Sequence, residues 1–234
     1  MFNYYFDHMG TDQNMQFIKD PLFISAYSKS ISAIGQDLNI KMRVHQAIWA
    51  SEQGIKLDGT FIELGTGKGF IFISIMSYLS AKYGNNNLPR VYLFDTFLPS
   101  IPNPISGSQN ENNMRKKPRK GIAYASSLSD TRQKFIQWPS VKLIEGKLPT
   151  SILNYLDEIG EIAFLHVDLN HYLAEVETLA YIWDRMKNGS IIILDDYANK
   201  SRETQMHAHN KFFQEKKHSI LTTASGQGIV VVNR

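Results

Sequence analysis

The 234-residue chain contains no cysteine. Disulfide staples, thiolate catalysis and cysteine-ligated zinc are therefore excluded. No uninterrupted apolar run is long enough to cross a membrane, and the first residues lack the basic-then-apolar pattern of a secretory signal. A cytoplasmic protein with no membrane partner is the expectation. Charge excess is missing too: 25 Lys and Arg stand against 22 Asp and Glu, a net +3. That balance is too small to argue for nucleic acid as a partner. The one dense basic cluster, Arg115-Lys-Lys-Pro-Arg-Lys120, reads as a solvated loop, although it could touch phosphates or anionic lipid. No internal repeat is visible, and the only biased patch is polar Ser106–Asn113.

What is present suits one α/β domain with a sizeable core. The chain is organised around Phe61-Ile-Glu-Leu-Gly-Thr-Gly-Lys-Gly69 and the apolar run behind it. Phe61–Leu64 reads as a short buried strand, Gly65–Gly69 as a turn and Phe70–Lys82 as a helix. Glycines at such a turn let the backbone approach a ligand, and the following helix offers free N–H groups. A nucleotide-shaped small molecule fits there; a tight turn without a ligand is the plainer alternative. A phosphate-binding loop would need Ser or Thr after Lys68, where Gly69 stands. The dinucleotide fingerprint has G-x-G-x-x-G, whereas this chain has G-x-G-x-G led by Glu63.

Residues 1–20 mix aromatics with polar residues and read either as an arm, over a partner or the active site, or as a loose end. Residues 21–54 look helical in two pieces, a cap ahead of the first strand. This gives residues 1–54 as arm and cap and 55–234 as the main domain. Val91–Thr96 is the second strand, with Asp95 at its C-terminal end, where an acid can accept bonds from both ribose hydroxyls. Phe97–Ala123 is a proline-rich loop of the length that lids have. Ser129–Trp138 reads as a helix, Val141–Glu145 as the third strand and Leu148–Ile159 as a short helix. Ile162–Asp168 is the fourth strand, Leu173–Met186 its helix and Asn188–Ser190 the turn out. Ile191–Asp196 is the fifth strand and Lys200–Lys217 a polar helix. Ser219–Thr223 and Gly228–Val232 close the chain as an antiparallel pair.

Asp168 ends the fourth strand, and Asp195 with Asp196 ends the fifth. Neighbouring strand ends lie about 5 Å apart, so the carboxylates can converge. Without cationic partners they would repel unless a cation sat between them. An all-oxygen set points to Mg²⁺ or another hard cation. The bland alternative has Asp196 capping the next helix and Asp168 bonding loop amides.

Glu63 followed by G-x-G-x-G resembles motif I of the class I S-adenosylmethionine-dependent methyltransferases. His166-Val-Asp-Leu-Asn-His-Tyr172, a helix, then Gly189-Ser-Ile-Ile-Ile-Leu-Asp-Asp-Tyr197 resembles the macrocin O-methyltransferase family, which includes Mg²⁺-dependent enzymes acting on sugar hydroxyls. Phe94-Asp-Thr-Phe97 also fits, and the likeness runs from about Val44 to the C-terminus. It implies a Rossmann-like class I fold: a seven-stranded, mostly parallel sheet with a C-terminal antiparallel hairpin and an N-terminal helical cap. It also implies S-adenosylmethionine held by Glu63, Gly65, Thr66, Gly67, Gly69 and Asp95, with Glu145 and Gly146 by the adenine. Mg²⁺ would sit on Asp168, Asp195 and Asp196. A homodimer through the N-terminal segment also follows from the resemblance.

Many members of that family carry an aspartate where this chain has Asn170, and an amide has no useful basicity. His171 is the natural replacement as general base, since histidine titrates near neutral pH; His166, on the strand itself, is the lesser candidate. The acceptor would be a hydroxylated small molecule, a sugar or glycoside, with Tyr124, Tyr172 and Tyr197 available to stack on it. The competing readings are a catechol or vicinal-diol methyltransferase, a nicotinamide-dependent oxidoreductase and a non-catalytic member of the fold. Tyr78 and Lys82 form a Tyr-x-x-x-Lys pair of the kind reductases use, but too early in the chain, and read as packing and surface residues.

Overall fold

A computed structural model of the chain describes residues 3–98 and 126–234. Nearly all of the loop read as a lid, with Tyr124 and the Arg115–Lys120 cluster, lies outside the described residues. At the centre, β3 (Thr60–Leu64) and β6 (Ile162–Val167) are buried at every position, as strands covered on both faces must be. They pair in parallel, with Glu63 opposite His166 and Leu64 opposite Val167. β4 (Val91–Asp95) and β5 (Val141–Glu145) continue the parallel sheet beyond β3. β7 (Met186–Leu194) continues it beyond β6. β8 (Leu221–Thr222) and β9 (Gly228–Val231) add an antiparallel hairpin through β9 and β7. The seven-stranded order is β5-β4-β3-β6-β7-β9-β8. Strand order reverses between β3 and β6, which opens a crevice outside their C-terminal ends.

Period-two alternation along the strands fills both faces. Phe61, Leu93, Phe164 and Ile193 join one core with α1 (Pro21–Ile34), α2 (Lys41–Gly54), α3 (Phe70–Tyr83) and α4 (Leu128–Phe135). Ile62, Phe94, Leu165 and Leu194 join the other. There they meet α5 (Thr150–Leu153), α6 (Leu156–Ile159), α7 (Tyr172–Ile182) and α8 (Glu203–Glu215). α3 is apolar nearly all round because α1 and α2 cover the side that faces away from the sheet. α2 packs tightly on the sheet at Gly54, where an added Cβ would lie 3.0 Å from the Ala163 carbonyl oxygen.

The N-terminal residues settle into a hairpin. β1 (Tyr4–Phe6) pairs with β2 (Met9–Thr11) across Asp7 and His8, both at positive φ, the geometry of a two-residue hairpin turn. Phe6 is buried edge-on against Phe17. The Asp7 carboxylate accepts the Met42 N–H at 2.6 Å. It thereby serves the first turn of α2, whose own N-cap residue, Ile40, gives no side-chain bond. The N-terminal segment is thus tied to the cap helix.

Several boundaries differ from those read off the sequence. Asn188–Ser190 is not a turn out of a helix but part of β7, because Met186 already pairs with Ile162. Gly189, at φ +85°, keeps its N–H on the Val232 carbonyl and the strand continues through it. The helix before it accordingly stops at Ile182. The stretch 148–159 forms two short helices, interrupted at Tyr155, whose φ of −118° leaves the helical region. The polar helix starts at Glu203, after a turn closed by the Arg202 N–H on the Asn199 carbonyl.

Candidate active site

The glycine turn after β3 owes its residues to two close approaches. Gly65 has φ +94°, and a Cβ there would stand 2.1 Å from the Asp168 carbonyl oxygen. Gly69 has φ +85°, with a Cβ position 2.6 Å from the Phe135 ring. Neither place admits a side chain. Asp95, at the end of β4, ties the turn: one oxygen accepts the Gly67 N–H at 2.7 Å, the other the Phe97 N–H at 2.9 Å. Gly146 donates its N–H to the Asp95 carbonyl, and Glu145, beside Asp95 in register, is exposed. The tips of β3, β4 and β5 therefore bring Gly65, Thr66, Gly67, Gly69, Asp95, Glu145 and Gly146 to one edge. A cavity of about 480 Å³, with Lys68, Phe97 and Lys134 among its walls, adjoins the turn. Among the described residues the turn consequently borders open space, as a ligand-binding turn must.

Glu63 occupies a different place from its neighbours. It is buried beneath the turn, with one carboxylate oxygen 3.1 Å from His166 Nδ1. The other ring nitrogen of His166 lies 3.5 Å from Asp195 Oδ1, an ion pair too long for a good hydrogen bond. Burial alone would keep this imidazole neutral, but Asp195 and Glu63 on either side push its pKa up to about 10. His166 is fully buried between these two acids, with no face open to a substrate hydroxyl. It supports the turn and the acid cluster from below.

The Asp195 N–H bonds the Val167 carbonyl, so Asp195 and Asp196 follow the β7 tip beside the β6 tip that carries Asp168, and their charges act on Asp168. They are not without cationic partners, as the sequence reading supposed. Arg43, from α2, hydrogen-bonds Asp195 Oδ2 and reaches Asp196 Oδ1 at 3.5 Å. Arg202 Nε lies 3.0 Å from Asp196 Oδ2, and Gln227 donates to Asp195 Oδ1 at 2.7 Å. Burial opposes the charge on Asp195, yet Arg43 and His166 outweigh it and hold this carboxyl below the usual range. Asp168 fares otherwise. Among the described residues its hydrogen-bond partner is Asn170 Nδ2, at 3.4 Å. Burial, then Asp195 and Asp196, raise its pKa well above the ordinary value. Among the described residues no group of three His, Asp or Glu is gathered closely enough to enclose a metal ion. In kind, the candidate donors of Asp168, Asp195 and Asp196 are all carboxylate oxygens, the type a hard cation takes, and Asp168 is half-buried.

His171 is the N-cap of α7. Its Nδ1 accepts the Ala174 N–H at 3.2 Å, which leaves the proton of the neutral ring on Nε2. Asn170, at φ +58°, adopts the left-handed conformation that asparagine tolerates, and its carbonyl accepts from Arg202. The loop carrying both is anchored by a group that sequence reasoning missed. Glu175, on α7, accepts the Leu169 N–H at 3.1 Å and pairs with His209 Nε2 at 3.0 Å, both side chains fully buried. Gln205 adds a third bond to it. Tyr197 packs over His209, and its hydroxyl donates to Asn210. Its ring is buried and is not offered to an acceptor; Tyr172 is half-buried. Lys82 pairs with Glu52 beside the buried Tyr78, which leaves the Tyr-x-x-x-Lys pair in the packing and surface role read for it.

With this geometry in hand, the chain compares with known proteins as follows. The family model described as macrocin-O-methyltransferase (TylF) matches residues 31–223. No curated protein matches it in sequence. Among solved structures it resembles the O-methyltransferase NovP, at 18% identity over 85% of this chain and 82% of that one, with a TM-score of 0.68. It also resembles CalS11, the calicheamicin methyltransferase, at 16% identity over 94% and 89%, with a TM-score of 0.66. An apo structure of CalS11, described as a TDP-rhamnose 3'-O-methyltransferase, gives 15% identity over 94% and 90%, with a TM-score of 0.63. TomG from Streptomyces achromogenes, an O-methyltransferase solved with SAM, gives 11% identity over 92% and 91%, with a TM-score of 0.53. At such identities the structural likeness speaks for the fold.

Proposed function

The chain belongs to the macrocin-O-methyltransferase family, and from that premise we propose that it transfers the methyl group of S-adenosylmethionine to a hydroxyl of a sugar or sugar-containing small molecule. One observation carries the reading: the glycine turn tied by Asp95 lies directly beside the tips that bear Asp168, Asp195 and Asp196. Family membership makes the chain an O-methyltransferase and displaces the nicotinamide and non-catalytic readings. The CalS11 description supports a sugar acceptor. No helix among the described residues is long and apolar enough to cross a membrane.

Bound S-adenosylmethionine would supply an electrophilic methyl on sulfur. Gly65, Thr66, Gly67 and Gly69 leave its methionine end room against the backbone, with Glu63 holding the turn from beneath. Asp95 Oδ2 still has a lone pair for a ribose hydroxyl after serving Gly67, while Oδ1 serves Phe97 and, at 3.5 Å, Thr96 Oγ1. Glu145 and Gly146, beside Asp95 at the next strand tip, would border the adenine. Asp168, Asp195 and Asp196 would hold a divalent cation such as Mg²⁺, which when bound lowers the pKa of a coordinated hydroxyl. His171 is assigned to proton removal. Its capping bond sets the condition: Nδ1 bears the lone pair, so it takes a proton only as the Ala174 N–H is released.

The test is calorimetric titration of S-adenosylhomocysteine into wild type and Asp95→Ala, then transfer of labelled methyl to a panel of nucleotide sugars, glycosides and catechols. Binding that weakens in Asp95→Ala, with label on a sugar hydroxyl, is the expected result. Label on catechols alone would move the acceptor to the vicinal-diol class. Absence of S-adenosylhomocysteine binding by folded wild type would refute the assignment.

A further inference from the structure

We infer that the open cavity beside the glycine turn is an anion site, built on Lys68 and Lys134, that receives a phosphate group carried by the acceptor. This deepens the proposed function and rests on it. The cavity, of about 480 Å³, has Lys68, Lys134, Ser126, Ser127, Asp130 and Phe97 among its walls. Three segments bring them together. Lys68 belongs to the turn after β3, Phe97 stands two residues past Asp95 at the end of β4, and Lys134 lies in the last turn of α4.

The two lysines are cations without acids. Among the described residues the lysine ion pairs are those of Lys41, Lys82, Lys142 and Lys187, so Lys68 and Lys134 have none. Lys134 Nζ is held by neutral oxygens instead, the Lys68 carbonyl at 3.4 Å and the Ser126 hydroxyl at 3.3 Å. Burial, then the charge of Lys68, lowers the Lys134 pKa against the opposing pull of Asp130. Asp130 is the one acid among the described wall residues; it is exposed and sits one helical turn before Lys134. Two cations around one half-enclosed space carry repulsion and desolvation that their protein neighbours do not offset. An oxyanion from outside offsets both. A phosphate brings about two negative charges, which two lysine point charges match. Ser126 and Ser127 add hydroxyl donors on the same wall, and Ser127 caps α4, whose N-terminal partial charge also favours an anion. A carboxylate alone would fill little of a space that suits a whole small molecule. The Phe97 side of the cavity leaves room for the rest of the acceptor. Phosphate held on Lys68 would anchor that acceptor against the turn that takes the cofactor.

Inorganic pyrophosphate serves as the probe, titrated calorimetrically without divalent metal into the full chain saturated with S-adenosylhomocysteine, with Tm reporting that each variant is folded. Wild type is expected to bind it, and Lys68→Met and Lys134→Met each to bind about tenfold more weakly, the loss of one charged hydrogen bond. Lys134→Arg keeps the charge and should stay within about threefold of wild type. Asp130→Asn removes the opposing charge and should bind pyrophosphate more tightly. The Lys134 variants should keep their S-adenosylhomocysteine affinity. Pyrophosphate binding that neither methionine variant weakens, or no pyrophosphate binding by wild type, would overturn the phosphate site. If the saturated wild type binds no pyrophosphate and both methionine variants lose S-adenosylhomocysteine affinity, the lysines serve the cofactor's own carboxylate and the acceptor assignment falls. Folded wild type that binds no S-adenosylhomocysteine would refute the proposed function itself, and this inference with it.

Discussion

His171 carries two possible duties that one substitution separates. As the N-cap of α7 it accepts the Ala174 N–H at 3.2 Å; as a base it would have to give that bond up. Asparagine is a strong N-cap and has no basicity, so His171→Asn keeps the first duty and removes the second. Losing a cap outright costs about 1 kcal/mol, which for a chain of this size lowers Tm by roughly 2–4 °C. Losing a general base costs about 10²- to 10⁴-fold in rate. His171→Ala is therefore expected to show both effects, and His171→Asn the rate loss with Tm close to wild type. The assay is kcat for labelled methyl transfer to the best acceptor, with Tm by calorimetry and S-adenosylhomocysteine affinity as the check on the cofactor site. If His171→Asn keeps kcat within about threefold of wild type, below any general-base contribution, His171 is a cap alone and the base reasoning is refuted.

Gly65→Ala puts a Cβ at 2.1 Å from a backbone oxygen on a residue at φ +94°. We expect a loss of about 2 kcal/mol or more in unfolding free energy by denaturant titration, with S-adenosylhomocysteine binding lost. Glu175→Ala strips one partner from a buried pair and should cost about 3–5 kcal/mol. Glu175→Gln, which still accepts the Leu169 N–H, should recover more of the rate than of the stability. His45 stacks on Phe17 at 4.1 Å, and burial lowers its pKa against the opposing pull of Glu52 and Asp20. A histidine depressed in the folded state favours folding above its unfolded pKa of about 6.5, and that benefit is lost as pH falls through the folded value. Wild type should thus lose stability between pH 7.5 and 5, measured by Tm, and His45→Phe should flatten that slope; an unchanged slope would acquit His45.

The elements most legible in the sequence were those with one dominant signal. β3, β4, β5 and β6 are short apolar runs bounded by turn residues, and the structure places them within a residue of the expectation. The glycine turn was legible because Gly65 and Gly69 have positions no other residue fits. Boundaries failed where pairing outweighed local preference: Asn188-Gly189-Ser190 has turn composition, yet Met186 and Gly189 are claimed by bonds to β6 and the chain end. Tyr197 looked like a stacking platform by its neighbours in sequence and is instead packed under Gly228, where a Cβ would sit 2.8 Å from its ring.

By itself the sequence determined the strand–helix alternation, the glycine turn and the three acids at adjacent strand tips. These follow from short-range causes: side-chain period, glycine conformation and position at the end of an apolar run. Tertiary structure alone decided which charges answer those acids. Arg43 lies on a helix 152 positions before Asp195, and no local pattern marks it among the polar residues of α2. The Asp7–Arg43 and Glu175–His209 pairings likewise join segments remote in sequence. Charge balance in a buried site is a property of distance in space, and distance in space exists only once the sheet has brought the segments together.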